Sequence, residues 1–139
     1  RRAQAKRAFL CEGIHIRSLR GFQLRPATFF DRQSAQPVGD EQVFEKLTRD
    51  AFRNPTLAPW LREQGVERVV LCGVFANQCI RHTAQGAVAA GFTVMVPEDG
   101  VAAGSDGALK RGLRAITRAG AHVVQPAASA MPLVLQGAT

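Results

Sequence analysis

The chain has 139 residues, of which 46% are hydrophobic and 21% are charged, and its formal net charge is +7. This balance is typical of one globular domain, and no apolar run approaches the roughly 18 residues that a membrane span needs. Three cysteines without a Cys-x-x-Cys pair argue against a disulfide framework or a zinc knuckle, so we expect a cytoplasmic protein with no membrane association.

The positive charge is concentrated at the start of the chain. Residues 1–25 hold seven Lys and Arg residues and a single acidic residue, whereas the rest of the chain is nearly neutral. We expect a solvated, partly disordered arm, with attraction to nucleic acid or to an acidic partner as the alternative. Because no aromatic residue interleaves the basic segment "RRAQAKR", we do not expect nucleic-acid binding.

The first part of the chain shows no sustained hydrophobic period. Turn-forming residues and short apolar pairs alternate there, and only residues 27–30 suggest a short strand. From residue 41 onward the pattern becomes regular. We therefore divide the chain into a basic N-terminal segment, residues 1–40, and an α/β domain, residues 41–139.

The regular part begins with a helix and a buried strand. The segment "NPTLAPWLREQG" predicts a helix with Asn54 as its N-cap, Leu57 and Leu61 on its apolar face, and Gly65 at its end. The continuous Val/Leu run of residues 66–74 then predicts a strand that is buried on both faces.

The alternation of helix and strand continues to residue 125. A second helix with Asn77 as its cap ends at Gly91, and "FTVMVPED" predicts the next strand, with Asp99 supporting the loop that follows. A third helix is capped by Ser105 and ends at Gly120, before the strand "AHVVQ". Such crossovers predict the α/β class, a three-layer α/β/α sandwich with a mostly parallel sheet, whose functional groups gather at the carboxyl ends of the strands.

The segment "GVFANQC" lies at such a position, between the buried strand and the second helix. A cysteine in the first turn of a helix, here Cys79, is close to backbone N–H groups and to the positive end of the helix dipole. These groups favour a thiolate and can hold a developing oxyanion, as acyl transfer requires. The alternative for Cys79 is a small buried hydrophobe, which is the role we expect for Cys72 within the Val/Leu run.

The segment "VVLCGVFANQCIRHTAQGAVAAGFTVMVPEDGVAA" resembles the isochorismatase-like cysteine hydrolases. The similarity continues upstream through "VFEKLTRDAF" and "TLAPWLREQGVERVVLCG", so it covers about residues 41–125. It implies a parallel α/β sandwich with an Asp–Lys–Cys triad that hydrolyses small amides or related acyl compounds through a thioester. It also implies that the domain is truncated or replaced on its N-terminal side.

The resemblance assigns individual residues. Cys79 matches the nucleophile, and Lys46 in "FEKLTRDAF" matches the lysine of the triad. A cis peptide bond is implied between Val74 and Phe75, and the backbone N–H groups of Phe75 and Cys79 would form the oxyanion hole. Without the resemblance, a lone lysine such as Lys46 would be interpreted as an exposed, solubilising side chain.

Two hypotheses concern the acid of the triad. In the family the aspartate closes an early strand, in a pattern of apolar residues followed by Asp-x-Gln. "FFDRQ" contains this pattern with Asp31, but Asp31 precedes Lys46 by only fifteen residues, which is too short for the usual crossover. The two hypotheses are that Asp31 is the acid, or that the chain lacks it.

No metal or cofactor is expected, because His15, His82 and His122 lack the spacing of a metal site. His82, three residues after Cys79, is either a helix-surface residue or a partner of the thiol. We expect a small-molecule substrate and a homo-oligomer. Three functions stay open: a cysteine amidohydrolase, a catalytically inactive remnant or subunit without the aspartate, and a basic-tailed binding module.

Overall fold

The computed structural model describes residues 6–12 by their backbone, and residues 42 and 44–125. The predicted strand at residues 27–30 and the candidate acid Asp31 lie outside these residues. Within them, no helix is long and apolar enough to cross a membrane.

A parallel sheet forms the centre of the described part. Its backbone hydrogen bonds run in the order β1, β2, β3, β5, and β4 pairs with the carboxyl end of β2. The strands are β1, Lys6–Glu12; β2, Val66–Val74; β3, Thr93–Pro97; β4, Val101–Ala102; and β5, His122–Val124. The predicted strands at residues 66–74, in "FTVMVPED" and in "AHVVQ" are thus confirmed, and the fold is of the α/β class.

The strand β1 corrects the interpretation of the basic N-terminal segment. Residues 1–25 were expected to form a solvated arm, but Lys6–Glu12 pairs in parallel with Val66–Gly73 of β2. The reason is that "AFLC" supplies an apolar run within the basic residues, and β2 offers a row of backbone groups that need partners. The edge of β2 is therefore covered by the chain itself.

Three helices accompany the sheet: α1, Leu57–Glu63; α2, Arg81–Ala89; and α3, Asp106–Arg118. The predicted apolar face of α1 is confirmed, since Leu57 and Leu61 are both buried. The predicted cap is wrong, because Asn54 forms a turn ahead of the helix by accepting hydrogen bonds from the backbone N–H and the hydroxyl of Thr56. Gly65 follows α1 with a φ of 71°, a conformation that glycine adopts without a steric penalty.

The predicted start and end of α3 are confirmed. The Ser105 side chain accepts a hydrogen bond from the Ala108 N–H at 3.2 Å, which is the geometry of an N-cap. Ile116 is buried in the core, and Gly120 ends the helix with a φ of 99°. The helix therefore packs one apolar stripe against the sheet and exposes its charged side.

The main core lies between one face of the sheet and the three helices. Val69 and Leu71 of β2 share this core with Leu61 of α1 and Ile116 of α3, as does Ala84 of α2. The opposite face of β2 presents a smaller apolar cluster formed by Val70 and Met95, with Cys72 and Val124 packed against it. The three described helices all pack in the core on one face of the sheet. A helical layer on the opposite face, and with it the three-layer arrangement, therefore stays a prediction.

Candidate active site

The turn after β2 holds the predicted nucleophile. The peptide bond between Val74 and Phe75 is cis, at the position that the resemblance implied. The Phe75 carbonyl accepts hydrogen bonds from the N–H groups of Gln78 and Ile80, at 3.0 and 3.2 Å, and closes a wide π-helical turn over Ala76–Ile80. Cys79 lies in this turn and is half-buried, so its thiol is neither core nor fully exposed.

Two sequence predictions at this turn need correction. The helix α2 begins at Arg81, two residues after Cys79, so Cys79 occupies the π-helical turn that leads into it rather than its first turn. Asn77 does not cap α2, because it lies inside the turn and the residue before the turn is Phe75. The extra width of the turn explains both differences, since it inserts one more residue than an ordinary helix start.

Close packing of α3 fixes the turn from behind. Gly112 of α3 faces the backbone of Ala76 and Asn77, and an added Cβ would lie 2.6 Å from the Asn77 nitrogen and 2.7 Å from the Ala76 carbonyl carbon. Ala76 and Ile80 are fully buried in the same contact. The backbone around Cys79 therefore rests on a rigid helix, and only glycine allows this approach.

The segment that carries Lys46 is bonded to α2. The Thr83 hydroxyl, fully buried on α2, accepts a hydrogen bond from the Ala51 N–H at 3.0 Å and donates one to the Arg49 carbonyl at 3.2 Å. Thr83 follows Cys79 by four residues, about one helical turn. Residues 44–54, which we call the lysine loop, are thus held beside the turn that carries Cys79.

Further contacts hold both ends of the lysine loop. The rings of Phe44 and Trp60 meet edge to face with centroids 5.2 Å apart, and Asn54 donates to the Glu45 carbonyl at 2.8 Å. Asp50 accepts from the Phe52 N–H at 2.8 Å and occupies the space that a Cβ on Gly86 of α2 would need. The loop therefore has an ordered backbone although its residues show no helical or strand period.

Lys46 is half-buried in this loop rather than freely exposed. Its Nζ donates a hydrogen bond to the Arg49 carbonyl at 3.3 Å. The loop folds over the start of α2, so its positive charges gather around His82. Burial, followed by the neighbouring charges of Arg81 and Arg49, lowers the pKa of His82 below its ordinary value, and Asp50 and Lys46 act more weakly with opposite signs.

His82 interacts with its neighbour in sequence. Arg81 Nη2 lies 3.2 Å from His82 Nε2. Because a guanidinium only donates, His82 Nε2 is the acceptor, and the lowered pKa favours the neutral ring that this requires. Among the described residues, His82 therefore has Arg81 and not the thiol of Cys79 as its hydrogen-bond partner.

The sheet register identifies a carboxylate that the sequence analysis missed. Glu12 closes β1 and pairs with Gly73 of β2, directly before the Val74–Phe75 bond. Carboxyl ends of parallel strands meet at one edge of the sheet, so Glu12 is placed at the same edge as the turn of Cys79. The signal in the sequence is the apolar run "AFLC" followed by Glu12, which the sequence analysis assigns to the basic segment. Asp99 is exposed in the turn after β3.

No three His, Cys, Asp or Glu side chains cluster as metal ligands within the part of the chain that the structure describes. At the carboxyl edge of the sheet, the described residues include the thiol of Cys79, the exposed Asp99 and, by the register of β1, Glu12.

The profile of the isochorismatase domain matches residues 23–128, which is more than half of the chain. The chain belongs to the isochorismatase family. This finding confirms the resemblance on which the assignments of Cys79 and Lys46 rest, although it does not test the role of either residue.

The most informative relatives of this isochorismatase-family chain are amidohydrolases. It is 39% identical over 64 residues to a maleamate amidohydrolase of Pseudomonas putida, covering 46% of this chain and 30% of that protein. An isochorismatase-like hydrolase from Alkaliphilus metalliredigens superposes with a TM-score of 0.61 at 31% identity, over 64% of this chain and 49% of that one. A nicotinamidase from Staphylococcus aureus gives 0.55 at 32% identity, over 58% and 51%. The chain thus spans about half or less of these relatives.

Proposed function

We propose that this protein is a cysteine-dependent amidohydrolase that acts on a small amide or related acyl compound through a thioester. The observation that carries the proposal is the position of Cys79. It occupies a half-buried turn at the carboxyl end of β2, beside the lysine loop that Thr83 bonds to α2. The amidohydrolases among its relatives agree with this chemistry.

The proposed reaction has two halves. The Cys79 thiolate attacks the amide carbonyl carbon, forming a C–S bond while the oxygen takes the negative charge. Backbone N–H groups of Phe75 and Cys79 stabilise that oxygen. When the tetrahedral species collapses, the C–N bond breaks and the nitrogen leaves with a proton as ammonia or an amine. Water then attacks the thioester, the C–S bond breaks, and the carboxylic acid is released with the thiol restored.

Lys46 would act by its charge. An ammonium held near the thiolate stabilises the anionic sulfur and the developing oxyanion more than it stabilises the neutral substrate. The supporting observation is the tethered loop: the hydrogen bond from Lys46 Nζ to the Arg49 carbonyl fixes the side chain against a backbone that is itself bonded to Thr83.

The proton must be taken from the thiol and returned to the leaving nitrogen, and a carboxylate is the usual group for both steps. We consider two candidates. The register of β1 places Glu12 at the edge of the sheet beside Gly73, whereas Asp31 is supported only by the pattern "FFDRQ". We propose Glu12 as the acid and keep Asp31 as the competing assignment.

The test is to incubate the protein with a panel of small amides and to measure the ammonia that hydrolysis releases. We expect Cys79→Ala to abolish turnover and Cys72→Ala, the matched control on β2, to retain it. Mass spectrometry of a quenched reaction should find the acyl group on the peptide that contains Cys79. A Cys79→Ala variant as active as the wild type would refute the mechanism.

Two carboxylate variants separate the candidate acids. We expect Glu12→Gln to lower kcat by orders of magnitude and Asp31→Asn to leave it unchanged. The opposite result would assign the role to Asp31. If the wild type releases no ammonia and forms no acyl adduct with any amide, the alternative function applies, a catalytically inactive remnant or subunit.

A further inference from the structure

The sheet register places two of the three cysteines opposite each other. Cys11 of β1 pairs with Cys72 of β2, in the parallel ladder that covers Lys6–Glu12. The two residues lie far apart in sequence, so no spacing motif joins them. The missing Cys-x-x-Cys pair argues against a disulfide framework, but it does not bear on two cysteines that a sheet brings together.

The spacing of the two strands suits a disulfide bond. Neighbouring strands lie about 4.8 Å apart, and disulfides join residues whose Cα atoms are roughly 4.4–6.8 Å apart. Cys72 lies on the face of the sheet opposite the main core, where it packs against Val70 and Met95. Register partners in a parallel pair share one face. The pairing therefore places Cys11 on this face as well, at the position beside Cys72.

The surroundings of the Cys72 sulfur define what bond formation requires. Cys72 is half-buried, so small oxidants and reductants reach it from solvent. A Cβ on Gly100 would lie 3.2 Å from Cys72 Sγ, so the sulfur rests against the turn before β4. Both β1 and β4 pair with Gly73, so β4 lies on the side of β2 away from β1. To bond with Cys11, the sulfur must rotate about the Cα–Cβ bond from one staggered rotamer to another.

We infer that Cys11 and Cys72 form a disulfide when the protein reacts with a peroxide, and that this bond fastens β1 to β2. One thiolate attacks a peroxide oxygen, the O–O bond breaks, and a sulfenic acid forms as water or an alcohol leaves. The second thiolate attacks the sulfenic sulfur, the S–S bond forms, and water leaves. The two thiols together lose two electrons and two protons, which the peroxide takes up. A dithiol reductant reverses the reaction.

The bond would hold a strand that has one neighbour. Among the described strands, β1 pairs with β2 alone, so its attachment depends on one row of backbone hydrogen bonds. Glu12 and Gly73 directly follow the two cysteines, and the crosslink therefore keeps their register at the edge of the sheet. It also closes a long loop in the unfolded chain, which favours the folded state. This inference goes beyond the proposed function and does not depend on hydrolysis.

Peptide mapping of the oxidised wild type tests the bond. The full chain is reduced, treated with hydrogen peroxide under native conditions, and its remaining thiols are blocked with N-ethylmaleimide. Chymotrypsin cleaves after Phe75 and so separates Cys72 from Cys79. We expect mass spectrometry to find a link between the peptides of Cys11 and Cys72 that dithiothreitol breaks, with Cys79 outside it.

Serine variants and unfolding assign the link to the register. Cys11→Ser and Cys72→Ser should each abolish the intramolecular link, whereas Cys79→Ser, the matched control, should retain it. Oxidation in concentrated urea removes the register, so we expect a mixture of links there that includes Cys79. The link should raise the urea midpoint of the wild type by about 1 M or more over that of the reduced protein. Peroxide should leave the midpoint of Cys72→Ser unchanged.

The wild type alone decides the inference, so the result does not depend on the folding of a variant. The absence of a link between Cys11 and Cys72 after native oxidation overturns it, as does a link that joins two separate chains. The same mixture of links in the native protein as in urea also overturns it, because the register would then not select the pair. An intramolecular link without a rise in the midpoint overturns the fastening of β1.

Discussion

The buried hydroxyl of Thr83 accepts a hydrogen bond from the backbone N–H of Ala51 at 3.0 Å, across 32 positions of sequence. The same hydroxyl donates to the Arg49 carbonyl at 3.2 Å. One side chain on α2 thus satisfies two backbone groups of the lysine loop. Because Thr83 lies four residues after Cys79, it couples the position of Lys46 to the turn that holds the thiol.

Replacing Thr83 with valine should release the lysine loop. Valine has nearly the same shape but no hydroxyl, so the Ala51 N–H loses its partner and the Arg49 carbonyl loses one of its two donors, keeping Lys46 Nζ. We expect the free energy of unfolding to fall by about 1–3 kcal/mol, measured by urea denaturation. We also expect kcat for amide hydrolysis to fall, because Lys46 is no longer held in place. Thr83→Ser keeps the hydroxyl and should retain most of both quantities.

Gly112 should not tolerate a side chain. A Cβ at this position meets the backbone of Ala76 and Asn77 at 2.6 to 2.9 Å, so alanine must push α3 away from the turn of Cys79. We expect Gly112→Ala to lower the free energy of unfolding by about 1–3 kcal/mol and to lower the alkylation rate of Cys79.

The matched control for Gly112 lies on the same helix. A Cβ on Gly107 would approach only the flexible end of the Arg111 side chain, at 3.2 Å, so Gly107→Ala should be neutral or stabilising by up to about 1 kcal/mol. Equal effects of the two alanine substitutions would contradict the role of Gly112 as a close contact.

His82 should make the stability of the protein depend on pH. Burial, and then Arg81 and Arg49, lower its pKa in the folded state, with Asp50 opposing and Lys46 adding to the effect. The unfolded chain therefore binds a proton at higher pH than the folded chain does. The contribution to stability is present in full above the unfolded pKa of about 6.5, and it is lost as the pH falls below that value and through the lower pKa of the folded state.

The measurement is urea denaturation of the wild type and His82→Gln between mildly alkaline and mildly acidic pH. We expect the wild type to lose stability more steeply below about pH 6.5, because only the wild type must charge an imidazole beside cations. His122→Gln, on the exposed strand end, controls for the loss of an imidazole elsewhere. Parallel pH profiles for the wild type and His82→Gln would show that His82 is not the group involved.

Lys46 should be required for the reactivity of the thiol. Lys46→Gln removes a positive charge from the lysine loop but keeps a polar side chain of similar reach. We expect kcat to fall by about a hundredfold or more, and alkylation of Cys79 by neutral iodoacetamide to slow. Lys110→Gln, an exposed residue on α3, removes the same charge and should change neither rate. If both variants lose kcat and alkylation rate equally, the effect of Lys46 comes from the net charge of the protein and not from its position.

The three helices and the strands β2, β3 and β5 could be predicted because their information is local, whereas β4, Val101–Ala102, was assigned to a loop. Each of these features depends on neighbours within a few residues: the Val and Leu run of the buried strand, the shared helix face of Leu57 and Leu61, and the Ser105 cap. The cap assignments of Asn54 and Asn77 failed, since both residues can also form turns, and the π-helical turn at Ala76–Ile80 has no period of its own in the sequence.

The sequence by itself determined the α/β pattern, the family and the candidates Cys79 and Lys46, because short apolar periods and a distributed motif record them. Only the tertiary structure decided that Lys6–Glu12 is a strand, that its register puts Glu12 beside Gly73, and that Thr83 binds the lysine loop. These contacts join residues that lie 32 to 61 positions apart in sequence. They depend on how the elements pack and on which backbone groups still need hydrogen-bond partners, and a local sequence pattern does not predict either.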